Sequence, residues 1–205
     1  MIDWVGGTTA RQSAEVPKAL NAPLFRSLVE PLETAGRQVV MDLGAATNQT
    51  IGLMSQYPCR LDIADLPDSL DRLQAPIEHP EDLEAVVDSV LPRRQDEPID
   101  LILCWDVLNY LSRPALAAVM AGIAARARPG ARAHALIYYS DTHMPEQPGT
   151  FVPLPDCSLV NNFAAPASRE APRYTPDDLT RAMPAYRIER AMLLGNGMQE
   201  FLFSL

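Results

Sequence analysis

Few folds accommodate the run Val39-Val40-Met41-Asp42-Leu43-Gly44-Ala45-Ala46-Thr47-Asn48. Val39 to Met41 are apolar with no helical period, as in a strand buried on both faces. Asp42 is the first charge. Gly44 is the first residue that turns sharply or lets another group approach the backbone without a Cβ in the way. From Gln49 to Gln56, the apolar Ile51, Leu53 and Met54 suit a helix packed on one side. The unit is strand, tight turn, helix. In open α/β sheets a ligand sits in that crevice, at the carboxyl end of the strand.

The rest of the chain repeats the alternation. Leu24, Phe25, Leu28, Val29 and Leu32 form an apolar face at helical spacing, interrupted at Pro31. Cys59 to Asp65 alternates with period two, which predicts a strand. Leu83, Val86, Val87, Val90 and Leu91 predict a helix over 81–91. No β-branched run precedes it: Ala75-Pro76-Ile77 is too short, so one strand is missing between Asp65 and Pro98. Ile99 to Trp105 is a second buried strand, ending at Asp106. Pro114 opens an alanine-rich helix over 115–127, stopped by Pro129-Gly130, and Ala133 to Tyr139 is a further strand. Thr175-Pro176 opens a helix through Met183, with Thr175 as N-cap. Tyr186–Leu193 and Met198–Leu205 flank Gly195-Asn196-Gly197, a hairpin signal. Residues 1–20 are weakly patterned, with a turn at Gly6-Gly7-Thr8-Thr9.

Between Ser140 and Tyr174 prolines stand at 145, 148, 153, 155, 166 and 172, with little periodicity. So long an irregular stretch in a compact domain reads as an insertion or lid within a single domain spanning 1–205.

Charge narrows the partners. A formal charge of -9 argues against nucleic acid and anionic membranes, which reward clustered cations. Arg126, Arg128 and Arg132 read as a solvated helix end. The N-terminus carries Asp3 and no apolar core run, so no signal peptide is expected. No segment approaches membrane-spanning length. Cys59, Cys104 and Cys157 are odd in number and far apart, which suits reduced thiols and a cytoplasmic protein. No His/Cys/Asp cluster has metal-ligand spacing. No Gly-x-Ser-x-Gly elbow occurs, and a nicotinamide Gly-x-Gly-x-x-Gly is matched less well, with Ala46 and Gln49 at its second and third glycines.

The opening Asp-Leu-Gly-Ala-Ala-Thr, the strand Ile102-Leu103-Cys104-Trp105-Asp106 and the closing hairpin resemble the class I S-adenosylmethionine-dependent methyltransferases, from about Val39 to Leu205. The resemblance implies a Rossmann-like doubly wound α/β fold with a mostly parallel sheet and a C-terminal antiparallel hairpin. It implies S-adenosylmethionine as cofactor. Asp42 and Gly44 match the family's opening motif, while Ala46 and Asn48 stand where its second and third glycines would be. Asn tolerates left-handed backbone, so Asn48 would keep the glycine's geometry. Ala46 adds one methyl beside the ligand.

The family's ribose-binding acid falls at Asp65 or Asp62, of which Asp65 is nearer the crevice. Trp105 and Asp106 would face the cofactor, and Asn109, Tyr110 and His143, near Asp141, the acceptor. The structural alternative puts Trp105 in the core, Asp106 at a turn and Tyr110 under the next helix. The expected activity is methyl transfer to a small molecule, with no catalytic residue assigned. The alternative is an inactive binding or partner subunit, and the hairpin offers an edge for a homodimer.

Overall fold

A computed structural model of the protein describes residues 19–75, 80–93, 95–162 and 167–205. The expected turn at residues 6–9 and the segment 76–79 lie outside them. Six strands form one sheet in the order β2-β1-β3-β4-β10-β9. These are β1 (Gln38–Asp42), β2 (Cys59–Ile63), β3 (Ile99–Trp105), β4 (Ala127–Tyr138), β9 (Arg187–Leu193) and β10 (Met198–Ser204). The first four run parallel, and β10 pairs antiparallel with both β4 and β9. The α/β fold is therefore doubly wound and mostly parallel, with the closing hairpin the sequence predicts.

Alternation along β1 sorts the core into two layers. Val39, Met41 and Leu43 join Ile102, Ala133, Ala135 and Phe201 on one face, under α4 (Pro80–Val90), α5 (Arg113–Ala124) and α6 (Pro176–Ala182). Val40 joins Leu101, Leu103, Leu136 and Leu202 on the other, under α1 (Pro23–Val29) and α2 (Asn48–Met54). Between β2 and β3 the described residues hold α3 (Leu66–Gln74) and α4 but no strand, so β2 is a sheet edge.

Caps explain most boundaries. The Ser112 side chain accepts from the Ala115 N–H and sets the start of α5 two residues before the predicted one. Thr175 and Asp178 form a reciprocal capping box on α6. The chain leaves α5 earlier than predicted, and β4 starts at Ala127 because Ile99 pairs with it there.

The proline-rich stretch is not irregular. It holds two small antiparallel ladders, β5 (His143–Pro145) with β8 (Ser168–Glu170) and β6 (Thr150–Pro153) with β7 (Leu159–Asn162). Phe151, Leu159 and Cys157 join the second core layer, so this segment packs on the sheet. Prolines at 145 and 153 sit in two-stranded ladders, where every strand is an edge and a missing N–H is tolerated. Among the described residues no helix is long and apolar enough to cross a membrane, and no group of three or more His, Cys, Asp or Glu could hold a metal ion.

Candidate active site at the strand ends

Three backbone hydrogen bonds assemble the crevice. Leu43 N–H donates to the Leu103 carbonyl, Ala64 N–H to that of Asp42 and Leu66 N–H to that of Leu43. The turns after β1 and β2 are thereby stapled to each other and to β3. Asp65, in left-handed backbone at φ 46°, is half-buried close enough to Asp42 for its charge to be felt there. Asp42 is 1% exposed, and its Oδ1 accepts from Gly44 N–H at 2.8 Å and from Trp105 Nε1–H at 2.6 Å. Burial pushes its carboxyl up to about 6; those two donors pull the other way and the neighbouring Asp65 adds to the rise.

Asp62 goes elsewhere. It pairs with Arg60 at 3.1 Å and lines a cavity of about 200 Å³ with Arg93, Glu97 and Arg126. Ala46 and Asn48 are exposed. Neither has the left-handed backbone that the missing glycines suggested, since the positive-φ residues described are others. Asn48 is instead the first helical residue of α2, whose N-cap is Thr47, and that corrects the expectation for it.

Gly44 is needed for close approach and not for its φ, which is not positive. A Cβ there would stand 2.6 Å from Trp105 Cδ1 and 2.9 Å from Nε1. Gly44→Ala is expected to cost about 1–3 kcal/mol in urea unfolding, as overpacking does, and far less in a Trp105→Leu background. An unchanged cost in that background would place the conflict elsewhere.

Just past the end of β3, Asp106 is completely buried. Its Oδ2 accepts from Gly149 N–H at 2.9 Å, while Oδ1 has no partner. Burial pushes it up to about 7, opposed by the Gly149 bond. The buried Tyr138 hydroxyl lies beside that of Tyr110. Asn109 and Tyr110, expected to face an acceptor, are buried with their polar groups engaged by backbone. Asn109 Nδ2 donates to the Asp106 and Leu136 carbonyls and its Oδ1 accepts from Tyr138 N–H. Tyr110 donates to the carbonyls of Pro145 and Gln147. Geometry explains both: Asn109 ties the turn Val107–Tyr110 to β4, and Tyr110 ties it to the inserted segment. His143 is exposed on β5, its Nδ1 3.1 Å from the Thr142 hydroxyl.

Sequence reasoning missed Phe25, His134 and Phe151, which pack around Trp105 with ring centroids 5.4, 6.4 and 6.1 Å away. Phe151 lay in the stretch with no period, so nothing local marked it. It also missed the buried Glu200, although an acid between Met198 and the run Phe201-Leu202-Phe203 was a signal.

The parallel strands, the crevice after β1 and the antiparallel closing pair define the fold of the class I S-adenosylmethionine-dependent methyltransferases. Among solved structures, an S-adenosylmethionine-dependent methyltransferase from Clostridium acetobutylicum aligns with a TM-score of 0.50 at 14% identity, covering 89% of this chain and 89% of that one. The glycopeptide N-methyltransferase MtfA, complexed with S-adenosylhomocysteine, aligns with a TM-score of 0.50 at 12% identity over 89% of this chain and 87% of its own. At such identities the likeness shows the fold alone. No family model matches the chain, and no curated protein matches it in sequence.

Proposed function

We propose that the protein is an S-adenosylmethionine-dependent methyltransferase acting on a small molecule. The observation that carries this reading is the convergence of Asp42 and Asp65 on the Gly44 turn, at the carboxyl ends of β1 and β2. The polar residues fit the cofactor. Asp65, half-exposed at the mouth, suits the ribose hydroxyls, and Gly44 offers backbone without a side chain. The space over Gly44 is held by the Trp105 indole, so the cofactor fits with that indole displaced. Once bound, it supplies an electrophilic methyl on a sulfonium. What the chain contributes is alignment and exclusion of water, and neither demands a dedicated nucleophile. The roof of β6 and β7 over Asp106 favours a small acceptor, as does the acidic charge over any nucleic acid.

A non-catalytic protein that keeps the fold is the second reading, and the buried indole over Gly44 favours it. Calorimetric titration with S-adenosylmethionine and S-adenosylhomocysteine separates the two. In the enzyme reading both bind, and Asp65→Ala loses about 1.5–3 kcal/mol of affinity through its charge-assisted bonds. Asp62→Ala loses less, because its carboxylate is taken by Arg60. Equal small losses at the two positions would mean the cofactor is wrongly placed.

A further inference from the structure

Trp105 is the last residue of β3 and has left-handed backbone, φ 49°. That region costs an L-residue about 1–2 kcal/mol and is held only where the surroundings demand it. Here they do. The indole N–H donates to Asp42, one ring edge lies against Gly44, and the ring plane is parallel to Phe151 within 4°. Phe25 and His134 close the other sides, leaving Trp105 3% exposed. Phe151 belongs to β6, and the turn before it is strapped to the sheet by Gly149 N–H on Asp106 and by Tyr110 on Pro145 and Gln147. Beneath that strap lie Asp106 Oδ1, a buried polar atom without a partner, and the Tyr138 hydroxyl, beside that of Tyr110.

Resting on the cofactor site proposed above, we infer that Trp105 is a gate joining the two halves of the active site. Its indole holds the volume over Gly44 and one oxygen of Asp42, both of which the cofactor needs. Cofactor entry therefore swings the ring out of the crevice. The swing removes the ring that Phe151 rests on, and the β6–β7 hairpin loosens over Asp106 and Tyr138. A carboxyl and a phenol at the ends of β3 and β4 are then opened to an acceptor bearing a hydroxyl or amine. The acceptor site becomes accessible only after the cofactor is in place, so binding is ordered and the cofactor is first.

The chain has two tryptophans, so Trp4→Phe leaves Trp105 as the sole emitter. With this variant, titration with S-adenosylhomocysteine is expected to shift the emission to the red and to raise quenching by acrylamide as the indole leaves its pocket. Trp105→Leu removes the gate and is expected to bind S-adenosylhomocysteine about tenfold more tightly by calorimetry, as when a closed form outweighs the open one about ten to one. Trp105→Phe, which keeps an aromatic ring without the N–H, should fall between and guards against a folding defect in the leucine variant. Amide exchange over residues 149–162 should quicken when the ligand is added to the wild type. Binding of S-adenosylhomocysteine with unchanged emission and exchange, and no gain in Trp105→Leu, overturns the gate while leaving the cofactor site standing. Failure of wild type and both Trp105 variants to bind overturns the cofactor site, and the gate with it.

Discussion

Alanine in place of Glu200 is expected to destabilise the protein by about 3–5 kcal/mol, since three buried groups lose their acceptor at about 1–3 kcal/mol each. Glu200 is on β10 and fully buried. Its Oε2 accepts from Leu24 N–H at 3.0 Å, and its Oε1 accepts from Phe25 N–H at 2.8 Å and from His134 Nε2 at 2.9 Å. Helix α1 starts after Ala22, whose side chain cannot cap it. The carboxylate from the far end of the chain does so instead, opposite the positive end of the helix dipole. Removing it leaves two backbone N–H groups and an imidazole buried without partners. Glu200→Gln keeps one acceptor oxygen but turns an amide NH2 toward a donor, so an intermediate loss is expected. Urea unfolding at pH 7 measures both. A loss below about 1 kcal/mol for alanine would show that α1 is held without this cap.

Asp106→Asn is expected to act in the opposite direction. The Asp106 carboxyl rises from 3.8 to about 7 on folding. Between those values the folded protein keeps a proton that the unfolded chain has released, so stability falls as pH rises from about 4 to about 7 and is level above. The buried Asp42, raised to about 6, adds a slope of the same sign. The amide carries no charge to bury and its oxygen still accepts from Gly149 N–H. At pH 8 Asp106→Asn should therefore be more stable than wild type by up to about 4 kcal/mol, roughly three pH units at about 1.4 kcal/mol each. The slope that remains should be that of Asp42. Unfolding curves from pH 4 to 8 test this, and a variant with the wild-type slope and no gain at pH 8 would contradict the burial of the carboxylate.

The parallel half of the sheet was legible because buried strands leave apolar runs. Val39–Met41 and Ile99–Trp105 are bounded by acids and need no long-range information. That the described residues after β2 hold no further strand was legible for the same reason, since 66–98 offers only the short Ala75-Pro76-Ile77. The choice of Asp65 over Asp62 followed from distance along the strand to its carboxyl end, and the structure puts Asp65 beside Asp42 and Asp62 with Arg60. The crevice's contents were not legible. Whether Trp105 faces a ligand or fills the gap itself depends on its left-handed φ, on Gly44 far earlier in the chain, and on Phe151 in a segment with no period. The two short ladders of the insertion escaped notice because each strand spans only three or four residues, too few for alternation to declare itself.

Ending the sheet at β2 has a consequence for the company the protein keeps in solution. A bare strand edge invites a strand from another chain, and a common guard is to put charge on it. Arg60 and Asp62 on β2 are tied to each other, and Arg60 is tied again to Glu97, which also holds Arg37. The network reaches from β2 inward, toward the starts of β1 and β3, and puts charge on two of the five residues of the edge strand. A strand added to β2 would have to accommodate those charges beside its own residues, which opposes the growth of fibre-like assemblies from that side.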